Sequence, residues 1–498
     1  MTEGPVVNVT ARDTATSSAA AEIHETHTGI VILIGDRAFK IKKPVRTDFL
    51  DFTTVEAREG VCAHEVALNS RLAPQSYLGV GHFADPGGRQ PPEPVVVMRR
   101  YPDQYRLRSM IERGEPTEQH LATLAGLLAT FHARAARSPS IDECGTPAAI
   151  TERWQENLTE LDRHAGEVVA ADAVAEVRRL AMRFLAGRTA LFATRITERH
   201  IVDGHGDLLT DDIFCTPEGP VPLDCLEFDE QLRYVDTIDD AAFLAMDLEF
   251  QGRPDLADFF LGHYRAAAHD SEAPRSLADS YIAYRAVVRA KVDCIRFTQG
   301  HHEADIDAGR HLDIALSHLR AATVRVVLVG GGPGTGKTTL ATALAEALDA
   351  GVVSTDVVRR ELQQAGAITG EAGVVNAGLY APGNVDQVYE AALERAGRSL
   401  DNGISVILDG TWRDQRQRRK AAALAQQKSA VLVELVCLAD LSEAQERIVR
   451  RRSAVSDATA QIASEITTGP WQGAHVVNTG RPLSESAAEA EQICHMAI

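Results

Sequence analysis

The chain has 498 residues, 45% of them hydrophobic and 24% charged, with a formal net charge of −19. This is ordinary usage for folded protein, so wholesale disorder is excluded, and roughly 100–200 residues per domain predicts more than one domain. The acidic balance disfavours non-specific binding to nucleic-acid backbones, and no apolar run nears the roughly 20 residues of a membrane-spanning helix.

In chain order, residues 1–22 carry neither a basic start nor an apolar core and read as a mobile arm, not a secretory signal. Residues 28–46 predict a β-hairpin turning at Gly35-Asp36. Residues 55–73 have helical spacing, with Val55, Val66, Leu68 and Leu72 as core contacts and Pro74 as the stop. Strand character returns over 76–101, around a Pro/Gly-rich loop, and ends in the apolar run Val95–Met98. Helices follow from about 118 to 191, a strand–loop–strand unit at 200–229, and helices again over 238–318. His301, His302 and His311 fit no metal spacing and read as a solvated helix face. A new start at Val324–Val329 is a short β-branched run, then a glycine loop, then a helix over 338–348. The boundary therefore falls near 319–323, giving regions 23–320 and 321–498. The seven cysteines form no CxxC pair, which speaks against zinc and suits reduced thiols in a cytoplasm.

Gly331-Gly332-Pro333-Gly334-Thr335-Gly336-Lys337-Thr338 is a full GxxxxGK[ST] motif, followed by Thr339 and set between a strand and a helix. Its glycines let backbone N–H groups turn inward around phosphate oxygens, and the helix start adds a dipole favourable to anions. Lys337 is expected to bridge the β- and γ-phosphates, and Thr338 to offer its hydroxyl to Mg2+. Asp409, closing the apolar run Ser405–Leu408, is the candidate second magnesium group; otherwise it caps a loop. Arg447 and Arg451 lie one helical turn apart, where guanidinium forks could meet phosphoryl charge or simply face solvent. The basic run Arg413, Arg416, Arg418, Arg419 and Lys420 reads first as a solvated helix face, with an anionic acceptor or a polynucleotide as the other reading.

The stretch Val352–Arg359 resembles small-molecule P-loop kinases of the gluconate-, shikimate- and zeta-toxin-like group. That resemblance implies that Asp356 contacts the acceptor hydroxyl and Arg359 binds substrate anions, and that Arg447 and Arg451 sit on a lid. Without it, Asp356 reads equally as a cap for a helix beginning near 357.

In the first region, Asp203-Gly204-His205-Gly206-Asp207-Leu208 resembles the catalytic loop of aminoglycoside-phosphotransferase-like kinases, which share the protein-kinase fold. The resemblance implies that Asp207 accepts or orients the acceptor hydroxyl and that Asp224 chelates Mg2+. Where that family carries Asn, this chain has Asp212, still an oxygen ligand but one negative charge more. Leu209 is a second departure, and together they keep a degenerate kinase in view. Lys40, in Ala38-Phe39-Lys40, matches the lysine that clamps the nucleotide phosphates, with Lys42 as the alternative. Glu65 is its helical partner, Val95–Tyr101 the hinge, and Asp240 a support for the catalytic loop.

The whole layout resembles a bacterial, notably actinobacterial, two-domain family joining a phosphotransferase-like domain to an AAA-annotated P-loop domain. Asp48–Thr53, Leu68–Pro74 and Glu227–Asp236 share in that likeness without chemistry derivable from the residues. The fold class expected is an α+β, bilobal, protein-kinase-like domain followed by a three-layer α/β P-loop domain with a parallel sheet. The function expected is a cytoplasmic, ATP- and Mg2+-dependent phosphotransferase with two ATP sites and small-molecule hydroxyl acceptors. Two alternatives stand beside it: a regulatory nucleotide-binding protein with a degenerate first domain, and a polynucleotide 5′-hydroxyl kinase.

Overall fold

The computed structural model describes residues 21–25, 29–45, 52–84, 87, 91–371, 377–450 and 470–498. The chain begins with strands β1 (Glu22–Glu25), β2 (Gly29–Ile34) and β3 (Arg37–Lys42), helix α1 (Val55–Asn69), and strands β4 (Tyr77–Phe83) and β5 (Glu93–Arg99). Helices α2 (Leu107–Glu112), α3 (Glu118–Arg134), α4 (Pro139–Cys144), α5 (Pro147–Asp162), α6 (Ala171–Gly187) and α7 (Thr189–Thr197) follow. Then come β6 (Ile201–Asp203), β7 (Ile213–Thr216), β8 (Gly219–Pro222) and β9 (Tyr234–Asp236), with helices α8 (Thr237–Phe250), α9 (Pro254–Ala267), α10 (Arg275–Thr298) and α11 (Ala304–Ala321). The last part alternates: β10 (Arg325–Gly330), α12 (Lys337–Ala347), β11 (Gly351–Ser354), α13 (Thr355–Gln364), α14 (Pro382–Asp401), β12 (Val406–Asp409), α15 (Gln415–Gln427), β13 (Val431–Leu438), α16 (Leu441–Arg450), β14 (His475–Asn478) and α17 (Leu483–Met496).

These elements gather into two compact units, each built from two stretches of chain: 1–146 with 195–272, and 147–194 with 273–498. Helices α5, α6, α10 and α11, which the sequence reading set in the region 23–320, thus pack in the second unit. Of the arm expected over 1–22, residues 1–20 lie outside those described, and Glu22 already opens β1.

The first unit carries an antiparallel sheet in the order β1-β2-β3-β5-β4. Gly35 (φ +58) makes the β2–β3 turn, as the Gly-Asp signal requires. Thr54 caps α1 by accepting the Ala57 N–H at 3.1 Å. The inner face of α1 differs from the expected one: Arg58, Cys62, Glu65, Leu68 and Asn69 are buried, whereas Val55, Val66 and Leu72 are only half-buried. A helix that must present a carboxylate and an amide to a cleft turns those inward, and an apolar count alone points its face wrongly. α8 is buried almost throughout and lies behind the loop that follows β6.

The second unit carries an all-parallel sheet in the order β11-β12-β10-β13-β14. Alternate side chains of β10 feed two cores, as strand pleating dictates. Val326 and Leu328 pack with Tyr389, Leu393 and Trp412 on one face, and Val327 and Val329 with Leu340, Leu344 and Leu435 on the other. Chain order reverses about β10, so a crevice opens at the strands' carboxyl ends, where ligands of such sheets bind. The buried Arg188 donates to the carbonyls of Leu400 and Lys428 (3.0 Å to the latter), at the ends of α14 and α15. His311 corrects the solvated-face expectation: it is buried, its Nδ1 2.8 Å from Asp293 Oδ2. An i, i+7 companion, His318, pairs likewise with Asp279 at 2.8 Å. The protein-kinase-like α+β fold and the parallel-sheet P-loop fold expected from sequence are the architectures observed.

Candidate active sites

In the second unit, residues 331–336 form the loop between β10 and α12. Gly331 (φ +139) and Gly334 (φ +81) adopt left-handed backbone that side chains resist, and a Cβ on Gly331 would sit 2.7 Å from the Cys437 carbonyl oxygen. Lys337 Nζ donates to the Gly332 carbonyl at 2.8 Å, and the Thr335 hydroxyl to the same oxygen at 2.9 Å. Thr338 Oγ1 donates to Asp409 Oδ2 at 2.8 Å, joining the start of α12 to the end of β12. Burial pushes the Asp409 carboxyl above its usual range, against the pull of the Lys337 charge and the Thr338 hydroxyl. A buried carboxylate beside a hydroxyl and a lysine suits a hard divalent cation and phosphate oxygens.

Beside the glycine loop lies a cavity of about 410 Å³ walled in part by Gly334, Gly336, Thr339, Arg447, Thr479 and Arg481. Arg447 donates to Glu443 Oε1 at 2.5 Å and to the Thr479 carbonyl at 2.8 Å. Thr479 Oγ1 lies 2.6 Å from the Thr335 carbonyl and 2.9 Å from that of Leu438, tying the loop to the sheet. Thr479 and Arg481 carry no motif and were missed by sequence reasoning. Arg451 lies outside the described residues. Pro333 is half-buried and Thr339 exposed on the rim.

α13 begins at Thr355, two residues before the expected start, so Asp356 stands inside its first turn and not at the cap. Asp356 Oδ1 accepts from Arg359 at 2.5 Å, and the Arg359 guanidinium lies 4.4 Å from the Tyr380 ring centroid. Asp356 is close enough to Asp409 for their charges to oppose one another. In the basic run, Arg416 pairs with Asp414 and Lys420 with Glu390, and Arg418 stands 4.8 Å from the Trp471 ring.

In the first unit, the sheet and α1 bring Lys40 and Glu65 together at 2.9 Å. Lys40 Nζ also meets Asp224 Oδ1 at 2.6 Å. Lys42, the alternative, makes its own pairs, to Glu65 Oε2 and Glu227 Oε1, both at 2.7 Å. Desolvation opposes the Lys40 charge, but Asp224, Glu65 and Glu227 outweigh it and raise the ammonium well above its ordinary range. Desolvation likewise works to raise Asp224, and Lys40 more than offsets it, leaving that carboxyl lowered. Asp212 is raised well above the usual range, by burial first and then by the charges of Asp224, Asp207 and Asp211. Asp207, Asp212 and Asp224 therefore share one cleft with mutually repelling charges, the condition a divalent cation relieves. Among the described residues, no group of three His, Cys, Asp or Glu side chains is arranged as a ready metal cage.

Asp240 supports the loop as its position suggested. Its Oδ2 and Oδ1 accept the N–H groups of His205 and Gly206, each at 2.7 Å, and His132 Nε2 lies 2.9 Å from Oδ2. The His205 ring is buried, which lowers its pKa, and Nε2 lies 3.1 Å from the Leu223 carbonyl. Several holding residues had no motif to announce them. Arg71 reaches the carbonyls of Asp203 (3.2 Å) and Gly204 (2.9 Å), and Asn69 Oδ1 accepts the Cys225 N–H at 2.8 Å.

Residues 326–467 match the family described as AAA domain. A choline/ethanolamine kinase family protein from Mesorhizobium loti aligns with 61% of this chain and 93% of its own, at 17% identity and a TM-score of 0.37. A gluconokinase from Sinorhizobium meliloti 1021 aligns with 35% of this chain and 93% of its own, at 19% identity and a TM-score of 0.27. "Uncharacterized protein Rv2004c" of Mycobacterium tuberculosis (strain ATCC 25618 / H37Rv) is 53% identical over 479 residues, 96% of each chain. The chain therefore belongs to the family of that mycobacterial protein, and its residues 326–467 carry an AAA domain.

Proposed function

We propose that this chain is an ATP-dependent phosphotransferase with two nucleotide sites, each moving the γ-phosphoryl group of MgATP to a hydroxyl of a small molecule. The observation that carries the reading is the Thr338–Asp409 contact beneath a complete glycine loop whose lysine is already folded inward. Bound magnesium supplies charge neutralisation between the phosphates. Lys337 exchanges the Gly332 carbonyl for β- and γ-phosphate oxygens, and the loop amides hold the remaining charge. Asp356 orients or deprotonates the acceptor hydroxyl, with Arg359 beside it, and Arg447 covers the nucleotide from α16. In the kinase-like cleft, Lys40 meets the phosphates, Asp224 and Asp212 hold the cation, and Asp207 faces the acceptor. A cytoplasmic setting, where MgATP is plentiful, goes with this reading.

The test is a phosphoryl-acceptor screen on the full chain, read by mass spectrometry, with Lys337→Ala and Asp224→Ala as paired variants. Each is expected to delete its own set of products. If neither variant changes ATP consumption or any product, the reading fails.

A second reading has its own support. Asp212 replaces the amide usual in this loop, and burial, then the charges of Asp224, Asp207 and Asp211, raise its carboxyl well above the usual range. On that reading the first unit binds nucleotide and regulates the P-loop site, so Asp224→Ala would alter turnover at that site instead of removing products. The polynucleotide 5′-hydroxyl kinase is weakened by the internal pairing of Arg416 and Lys420. A labelled 5′-hydroxyl oligonucleotide that became phosphorylated would revive it.

A further inference from the structure

Two lysines, not one, converge on Glu65, and they differ in exposure. Lys40 is 20% exposed and its second partner Asp224 46%, whereas Lys42 is 3% exposed and its second partner Glu227 17%. The outer pair is open to a ligand and the inner pair is sealed. For Lys40 to reach phosphate it must leave Asp224. Lys42 has no such route, because opening a buried pair strands a charge away from water.

Asp224 needs holding. Its φ of +62 lies in the left-handed region, which a non-glycine residue keeps when its surroundings impose it. Those surroundings bind the chain residue by residue. Leu223 N–H donates to the Asp212 carbonyl (2.9 Å), Asp224 N–H to Tyr77 Oη (3.1 Å), Cys225 N–H to Asn69 Oδ1 (2.8 Å), and Leu226 N–H to the His205 carbonyl (3.1 Å). Glu227 closes the run through Lys42.

We infer that Lys42 and Glu227 are positioning residues, a second anchor that keeps Asp224 in place when Lys40 turns from it to ligand phosphates. The inference rests on the reading of Asp224 as the cation-holding carboxylate of this cleft and is independent of the P-loop site. In chemical terms, Glu65 distributes its two oxygens between a lysine that moves and a lysine that stays.

Hydrogen–deuterium exchange on the full chain tests it at amides 223–226. Without nucleotide, Lys40→Met alone is expected to leave these amides protected. Adding Glu227→Gln to it is expected to accelerate their exchange about tenfold or more, while α8 amides keep their protection as a folding control. With saturating MgATP, Lys42→Met is expected to release the same amides and the unaltered chain to retain them. A role in packing alone would release them equally with and without nucleotide. Release by Lys40→Met alone overturns the inference, as does full protection in the double variant. Should α8 also open in the double variant, Glu227→Gln with MgATP decides: accelerated exchange upholds the anchor and unchanged exchange removes it. If MgATP leaves β3 amides of the unaltered chain unchanged, the nucleotide reading of the cleft fails, and the nucleotide-free comparison still decides the anchor.

Discussion

Thr210 gives both its backbone N–H (2.7 Å) and its hydroxyl (2.6 Å) to one oxygen of Asp247. Thr210 is fully buried between Asp207 and Asp212, and Asp247 belongs to α8, so the helix behind the loop fixes where the loop's carboxylates stand. Thr210→Val keeps the shape and the N–H bond and removes one hydrogen bond to a charged acceptor. A loss of about 1.5–3 kcal/mol is expected in denaturant unfolding followed by a probe in the first unit. An unchanged midpoint would show that the hydroxyl bond contributes nothing to holding the loop.

Lys337→Ala leaves the fold of the second unit intact, since the lysine's bond in this state is to a loop carbonyl. It is expected to lower turnover at that site about 100-fold or more, as removal of a preorganised phosphate contact does. Steady-state ATP hydrolysis by the full chain, compared with Asp224→Ala, apportions the two sites.

Gly331→Ala tests the loop backbone. The added Cβ would meet the Cys437 carbonyl oxygen at 2.7 Å in a conformation alanine avoids. A cost of about 1–3 kcal/mol is expected, together with weaker nucleotide binding by calorimetry, because strain at this position shifts the amides that face the ligand. Full stability and affinity in this variant would mean that the loop relaxes freely.

Arg195 lies between Asp236 and Asp270, with all four contacts at 2.7–2.8 Å. Burial works to raise Asp236, but the Arg195 charge and hydrogen bonds outweigh it, so its carboxyl is held below the usual range. A carboxyl lowered on folding stabilises the fold above its unfolded value, about 3.9, and that contribution is lost as pH falls through the lower folded value. Asp236→Asn is therefore expected to destabilise the first unit at neutral pH and to flatten its stability loss below about pH 4. Parallel acid titrations of the two chains by circular dichroism check the sign.

Arg188→Met removes the guanidinium that meets two helix-end carbonyls in the second unit. The Leu400 carbonyl keeps the Gly403 N–H at 3.1 Å, and each carbonyl loses a charged donor. An expected loss of about 2–4 kcal/mol follows from two charge-assisted bonds, measured by thermal unfolding of the full chain.

Much of the fold was legible because its signals are local. The β2–β3 turn needs a glycine, β10 is a β-branched run, and the glycine loop is contiguous from Gly331 to Thr338. Lys40, Glu65, Asp207 and Asp224 were singled out through family likeness alone, since residues so far apart in sequence share no local pattern. The holding groups stayed hidden for a related reason. Asn69, Arg71, Glu227 and Arg233 lie in the segments 68–74 and 227–236, which marked the family without showing chemistry. Asn69 and Arg71 bind backbone atoms more than a hundred residues away, Glu227 binds a lysine, and Arg233 binds the Asp203 carboxylate and the Leu226 carbonyl, and such contacts leave no spacing to read. His311 misled for the opposite reason: a histidine on a polar helix looks solvated until its aspartate, eighteen residues earlier, is seen on the neighbouring helix.

The interleaved stretches of chain also set an order of events during synthesis. The first unit is incomplete until residue 272 has left the ribosome, and by then residues 147–194 have emerged well ahead of their partners in 273–498. Helices α5 and α6 must wait with apolar faces such as Leu158, Leu161, Val177 and Leu180 uncovered. A gene cut near codon 320 would keep α5 and α6 with their packing partners α10 and α11 but sever these helices from the rest of the second unit, Arg188 from the Leu400 and Lys428 carbonyls among other contacts, so point variants in the intact polypeptide are sounder reagents than separated halves.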